Sequence, residues 1–270
     1  TEHPFRSLNE ALTFGRTQRV GSHSVFTIEM LRDYAIPTND VMSINKAGEN
    51  ITLTTAAKSG CRYTFNGSGD KAVISRGSAR TAFATVGGGA TFSLDTISFD
   101  GGNVSLSDKG SIIKTDNGSV TLVGNVDFSN ASGSYGAAIY VKSGTFTASA
   151  EDSRVDNMFT NCKSVNGGGA IYIEKGSLNL ANTKFLQCSS TTGTDQGGGG
   201  VFCDKDTVNS VVHNCTFDSC TAPKAKAGAL RTLGTNLTFE DCIVRSCSAS
   251  GDGGAVSHYA NNSDKLKGST

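Results

Sequence analysis

Tryptophan is absent from the 270 residues, proline occurs only three times, and charged residues make up only 18% and cancel to a net charge of zero. Each scarcity excludes something. A sparse and balanced charge leaves no basic excess to neutralise phosphates, so no nucleic-acid partner is expected. No run of about 18 apolar residues occurs, so nothing in this segment is expected to insert into a membrane. The four histidines, His3, His23, His213 and His258, lack metal-ligand spacing. The glycine run at 197–200 is not followed by the Lys-Ser/Thr of a phosphate loop. No cofactor and no metal are therefore expected. Ser, Thr, Asn and 33 Gly stand where helical surfaces would carry Lys and Glu, and this composition suits many short strands and turns. The chain opens at Thr1 without Met or signal peptide, and reads as a mature or trimmed piece of something longer.

Residues 1–50 differ from the rest. Phe5, Leu8 and Leu12 fall near helical spacing, with Ser7 as N-cap and Glu10 three residues on. Val25 to Ile28 reads as a strand, and a connection follows that Pro37 breaks. This segment is read as an α/β cap, which a stack of strands needs to cover its first rung.

From about residue 51 the sequence repeats itself. Gly168-Gly169-Ala170-Ile171-Tyr172 aligns with Gly136-Ala137-Ala138-Ile139-Tyr140, with Gly198-Gly199-Gly200-Val201-Phe202, with Ala227-Gly228-Ala229-Leu230 and with Gly253-Gly254-Ala255-Val256. Adding weaker members at Phe83 and Ile113, the anchors lie 30, 26, 32, 30, 29 and 26 residues apart. That period means a stacked-repeat architecture. A second motif, apolar-x-x-Cys, runs in phase from Phe159 to Cys162, Phe185 to Cys188, Phe217 to Cys220 and Val244 to Cys247. Between the motifs lies an alternating strand such as Gly144-Thr145-Phe146-Thr147. Each unit reads as three short strands and their turns, the perimeter of one β-helix coil at about 3.3 Å per residue. At least six rungs are expected over 51–260, with 261–270 as a linker or tail. Ile139, Ile171, Val201, Leu230 and Val256 should form one interior ladder, and Phe159, Phe185 and Phe217 another.

Gly-Gly-Ala-Ile followed by Phe-x-x-Asn is the paired signature of chlamydial polymorphic membrane proteins, and the units over about 80–260 resemble it. Gly168-Gly169-Ala170-Ile171 matches the first element, while Cys162, Cys188, Cys220 and Cys247 stand at the Asn position of the second. The resemblance implies an all-β, single-stranded right-handed parallel β-helix. It also implies a bacterial protein, secreted or held at the cell surface or wall, that works in adhesion, and it carries over no catalytic residues.

Three fates are open to the eight cysteines. In-register residues of a coil point the same way, a poor disulfide geometry, which favours buried free thiols. Disulfides between non-equivalent positions, or metal pairs such as Cys215 with Cys220, are the alternatives. Catalysis would need clustered acids. Asp95 and Asp100, five apart, do not share a strand face, and Asp204 and Asp206 flank Lys205 in what reads as a solvated turn. Thr52, Thr54 and Thr55 show no recurrence at the coil period, so flat threonine ranks of the ice-binding kind are not expected.

The variable stretches 163–166, 189–196, 221–226 and 248–252 follow the cysteine motif in each unit and should emerge on one edge as a row. Lys163, Thr191, Thr192, Asp195, Lys224, Lys226 and Asp252 are its candidate binding residues. The expected function is a non-catalytic, adhesin-like domain, a monomer, binding a glycan or a host or matrix protein through these loops. A polysaccharide lyase or glycoside hydrolase on the same fold is the alternative, and a pure stalk a third reading.

Overall fold

The computed structural model describes residues 4–18, 24–38, 40–56, 64–149, 156–192, 196–259, 265–267 and 269, apart from the side chain of Leu266. Helix α1 (Leu8–Thr17) starts where the sequence suggests. Ser7 is extended and its side chain accepts from the Glu10 backbone N–H at 3.1 Å. Glu10 reaches back to the Arg6 N–H rather than to that of Ser7, so the capping box is only half formed. Leu8, Ala11 and Leu12 turn inward and bury one face of α1.

The rest is a parallel coil with four ladders of strands. The first ladder stacks Met42–Ile44, Ala84–Gly87, Ile113–Asp116, Ile139–Val141, the start of Ile171–Ala181, Val201–Thr207, Leu230–Thr232 and Val256–His258. The second stacks Val25–Met30, Asn50–Thr55, the first halves of Thr91–Asp100 and Gly118–Ser129, Gly144–Ser149, the end of Ile171–Ala181, Val211–His213, Thr238–Glu240 and Lys265–Lys267. The third runs from Tyr34–Ala35 and Ala72–Ser75 through the second halves of the two long strands to Asn157–Thr160, Thr183–Leu186, Thr216–Asp218 and Ile243–Arg245. The fourth is a narrow sheet of two-residue strands, Ser132–Gly133, Lys163–Ser164, Ser189–Ser190, Thr221–Ala222 and Ser248–Ala249.

Four features differ from the sequence reading. A full coil has four strands, not three, because the fourth is too short to show an alternating pattern. Stacking starts at Val25, inside the segment read as a cap, and Lys265–Lys267 pairs with Thr238–Glu240 where a tail is expected. The first-ladder partner of Ile113 is Ala84, one residue past Phe83. Phe83 still turns inward, its ring 6.1 Å from that of Phe99. The asparagine of the second motif sits one residue before the cysteine position. Asn130 and Asn161 hold the left-handed corner at φ 53° and 52°, and the Asn161 amide donates to Asn130 Oδ1 at 2.9 Å. Gln187, Ser219 and Ser246 take that corner in the next three coils. Asparagine tolerates this region best among residues with a Cβ, which is why it recurs there.

Glycine is required where the chain turns into the first ladder. Gly168 has φ 56°, and a Cβ there would lie 2.0 Å from the carbonyl oxygen of Ile171. Inside the coil, like stacks on like. Ile139, Ile171, Val201 and Leu230 are fully buried in register, and Val256, on the last first-ladder strand, is half-buried. Phe99, Phe128, Phe159, Phe185 and Phe217 form a column with centroids 5.2, 4.9, 5.0 and 4.7 Å apart. The seven cysteines other than Cys61, which lies outside the described residues, are free thiols. Cys162, Cys188 and Cys220 are buried, whereas Cys247 is only half-buried. Each leans on the carbonyl of the phenylalanine one coil back, Cys188 on Phe159 and Cys220 on Phe185 at 3.5 Å. Burial pushes the Cys188 thiol well up, and that of Cys203 to about 12, so these groups pack as small neutral side chains.

Candidate binding surface

The predicted loop row exists as an edge. Lys163 pairs with Ser189, Ser189 with Thr221, and Thr221 with Ser248, so the four stretches leave the coil one above another. Each begins with the two residues of a fourth-ladder strand, not with loop. Lys163, Thr191 and Lys224 are exposed in this row, and Asp195 lies outside the described residues. Much of its polar chemistry is spent on holding coils together. The Thr191 N–H and hydroxyl both donate to the Ser164 carbonyl, at 2.9 and 3.2 Å. Those of Thr192 both donate to Val165, at 2.7 Å. Lys226 lies 3.1 Å from Asp252 of the next coil.

A second surface, which the sequence reading missed, lies on the outer face of the second ladder. Strands point alternate side chains outward, and the register aligns those positions from coil to coil. Thr27, Thr52, Ser93, Thr121, Thr147 and Asn179 form one rank, before Val211 breaks it. Asn50, Thr91, Ser119, Thr145 and Ser177 form the rank beside it. The expectation that these threonines do not recur is therefore wrong for Thr52, whereas it holds for Thr54, which aligns with Glu29 and Asp95, and for Thr55, which aligns with Met30. Turns of unequal length shift the spacing along the chain and hide a register that is regular in space. The signal was present in Gly118-Ser119-Val120-Thr121, Gly144-Thr145-Phe146-Thr147 and Gly176-Ser177-Leu178-Asn179.

At the corner between the first and second ladders these ranks line a groove of about 760 Å³ that includes Asn117, Thr145, Thr147, Ser177, Asn179 and Asn209. Stacked glycines form the corner itself. A Cβ on Gly176 would stand 1.9 Å from the Gly144 oxygen, so any larger residue would prise the coils apart. Among the described residues the lining has one cation, Lys175, and no carboxylate or histidine.

The outer face of the first ladder is aromatic but closed. Tyr140, Tyr172 and Phe202 lie in register and are 2%, 3% and 0% exposed, so their rings offer no stacking platform. The Tyr140 hydroxyl donates to Glu174, and the Tyr172 hydroxyl to Asp204 at 2.9 Å. Lys109 Nζ sits 2.9 Å from the Tyr140 oxygen and 3.4 Å from Glu174. Burial, together with the facing carboxylates, holds both tyrosines far above their ordinary range, so they act as hydrogen-bond donors. Asp204, read from sequence as part of a solvated turn, lies on the strand Val201–Thr207 and is half-buried beneath Tyr172.

No curated protein and no solved structure matches the chain. A family model described as the right handed beta helix region matches residues 95–269, more than half of the sequence, and the four in-register parallel ladders are what such a region builds. The chain belongs to the right-handed β-helix family.

Proposed function

We propose that this domain is a non-catalytic binding module, displayed at a bacterial cell surface, that recognises a glycan or a polar protein surface along the flank of its coil. The observation that carries the reading is the contrast between its two polar surfaces. The loop row ties Thr191, Thr192, Lys226 and Asp252 into contacts between coils. The groove presents hydroxyl and amide groups without the paired carboxylates that glycosidic cleavage uses. The resemblance to the chlamydial polymorphic membrane proteins supports an adhesive role outside the cell. Lys163 and Lys224, exposed on the loop edge, are the candidates for a secondary contact.

The test is a glycan array run beside immobilised matrix proteins. The triple variant Thr145→Ala, Ser177→Ala, Asn179→Ala should weaken a detected interaction at least about tenfold, since each lost hydrogen bond is worth about 1 kcal/mol. The pair Lys163→Ala, Lys224→Ala should change it far less. Loss in the lysine pair alone would return the binding face to the loop row. No interaction on either array would favour the stalk.

A second reading has one observation in its favour. Glu174 and Asp204 follow equivalent first-ladder strands of adjacent coils and are held by Tyr140 and Tyr172. Two carboxylates on adjacent coils are the kind of pair that glycosidic cleavage uses. Polysaccharide cleavage that vanishes in Glu174→Gln would establish this reading and displace the first.

A further inference from the structure

We propose that the N-terminal end of the coil binds an extended peptide of a partner chain, which adds one strand to the free edge of Val25–Met30 and sets a carboxylate at its own C-terminal end against Arg6 and Arg32. This site is separate from the flank described above, and neither reading depends on the other. Four observations point to it.

The first is the backbone. Val25–Met30 pairs with Asn50–Thr55 on one side only. The Asn50 N–H donates to the Ser24 carbonyl and the Ala56 N–H to that of Met30, so Ser24, Phe26, Ile28 and Met30 turn their peptide groups to the next coil. Those of Val25, Thr27 and Glu29 face the other way and meet no partner among the described residues. The neighbouring edge of the first ladder is closed instead, because Arg16 Nη2 donates to the Ser43 carbonyl at 2.7 Å. An open edge six residues long is a template for one more strand.

The second is room of an apolar kind. A cavity of about 760 Å³ lies between α1 and the chain from Phe26 to Ala35. Leu8, Ala11 and Phe14 line it from the helix, and Phe26, Ile28 and Met30 from the strand. The rings of Phe5 and Phe14 pack 5.2 Å apart and stay 37% and 39% exposed. Apolar surface gathered and left open in this way marks an interaction site. When a peptide joins a sheet edge, main-chain bonds give affinity, and pockets for every second side chain give specificity. The free edge supplies the first and the cavity the second.

The third is charge. Arg6 and Arg32 line the cavity, are exposed, and meet no side-chain partner among the described residues. Both lie toward one end of it. Asp40 accepts from the Leu8 N–H and from the Tyr34 hydroxyl, which brings together the stretches two residues behind each. A strand laid parallel to Val25–Met30, the direction of every pairing in the coil, would end there. The two carboxylates of the lining do not take that place. Asp33 is engaged by the Ser68 hydroxyl and the Val73 N–H, both at 2.9 Å, and Glu29 alternates to the exposed outer face. An acid at the end of the added strand would complement the two guanidinium groups.

The fourth disfavours a second copy of this chain as the occupant. The last second-ladder strand, at the other end of the coil, carries exposed Lys265 and Lys267, so head-to-tail stacking would bring like charges together. Head-to-head pairing would need the space that α1 fills, fixed over the coil end by Asp40 and Glu49.

The experiment screens the intact chain against a displayed library of random hexapeptides with free C-termini, and measures the selected peptides by fluorescence anisotropy. The selected sequences should carry an apolar residue at every second position and a carboxylate at the last. Comparing terminal acid with terminal amide, and Asp with Asn at that position, tells which carboxylate is read. N-methylation at alternate peptide positions should weaken binding at least about fivefold per methyl, as loss of one hydrogen bond implies, and at the positions between should leave it unchanged. Thr27→Pro removes a donor on the free side only, where a sheet edge accepts proline, and should weaken binding at least about fivefold with the melting midpoint held. A second variant covers the case in which proline disturbs the fold. Arg6→Glu with Arg32→Glu should weaken binding about tenfold, and an amidated peptide with Lys at its last position should recover it. No enriched peptide, equal tolerance of methylation at every position, or charge reversal without effect would overturn the proposal. Self-association of the chain that Thr27→Pro abolishes would overturn it by giving the edge to a second copy. Uptake of an alkyl carboxylate with no peptide selected would overturn it by giving the cavity to a lipid chain.

Discussion

Between residues 126 and 240 each coil repeats the chemistry of its neighbours. Phe159 lies between Phe128 and Phe185, with ring planes within 7° of each, and Ile171 lies between Ile139 and Val201. At the N-terminal end the polar contacts do not repeat. Asp40 is buried and accepts from the N–H groups of Leu8 and Asn9 at 3.0 Å, tying the start of α1 to the coil. Glu49, also buried, takes Arg16 Nε at 2.6 Å and the N–H groups of Asn45 and Lys46. Arg76, 2% exposed, spreads its guanidinium over the carbonyls of Gly101, Thr81 and Ser111 at 2.9, 3.0 and 2.7 Å. Burial brings its pKa down to about 10, and it remains charged at neutral pH. The difference teaches how a solenoid is closed. An interior coil has a like coil on both sides, and stacking satisfies its apolar and backbone groups together. An end coil lacks one neighbour, and the single-copy contacts of Asp40 and Glu49 with α1 complete there what stacking cannot, whereas Arg76 follows a strand paired on both sides and ties coils to one another.

The comparison breaks most visibly at the aromatic column. Phe185→Ala removes a ring stacked on both faces, at 5.0 Å from Phe159 and 4.7 Å from Phe217. It should cost about 3–5 kcal/mol, read as a shift in the denaturant midpoint. A loss below about 1 kcal/mol would mean that the column relaxes around the gap and that the ladders do not carry the body.

A smaller and pH-dependent effect should mark the N-terminal clamp. Burial alone would raise the Glu49 pKa, but the Arg16 guanidinium and the backbone donors outweigh it and hold the carboxyl below its ordinary value of 4.5. Its contribution is thus fully present above that value and is lost as pH falls through the lower, folded-state one. Glu49→Gln should cost about 2 kcal/mol at pH 7, in the range for hydrogen bonds to a charged group. The gap between variant and parent should narrow in acid, below the ordinary carboxylate range. Stability curves measured from pH 7 to pH 3 decide it. A gap of constant size would show that the clamp works by shape rather than by charge.

The same division explains what the sequence reveals. The repeats are legible because five copies of the Gly-rich turn, with Ile171 and its equivalents, report one environment five times. The clamps are not, because Asp40 meets Leu8 across 32 residues and Glu49 meets Arg16 across 33, once each. The groove is an intermediate case. Its hydroxyl pairs are regular in sequence, but their alignment depends on a register that the unequal turns obscure. The thiols were readable from stacking geometry alone, except that Cys247, packed only partly against the core, is less covered than its three equivalents.

The smallest effect belongs to the loop row, and it sharpens the comparison by testing whether a charge contact between coils works as the buried clamps do. Lys226 and Asp252 form an ion pair at 3.1 Å between adjacent coils, as Arg16 and Glu49 do between α1 and the coil. Their surroundings differ. The Asp252 side chain is 85% exposed against 2% for Glu49, so water and salt screen the pair, and fixing two long side chains costs entropy. Asp252→Ala should therefore change stability by no more than about 0.5 kcal/mol, with little dependence on salt. Any substitution of the row for binding tests should spare Ser189–Ser190 and Thr221–Ala222, whose backbones pair in the fourth ladder and whose Ser190 and Ala222 side chains are buried. Replacing only the exposed residues beyond them keeps the coil intact. A loss above about 1 kcal/mol in Asp252→Ala would mean that this edge closes the solenoid as the N-terminal clamps do, and the row could no longer be treated as a surface independent of the fold.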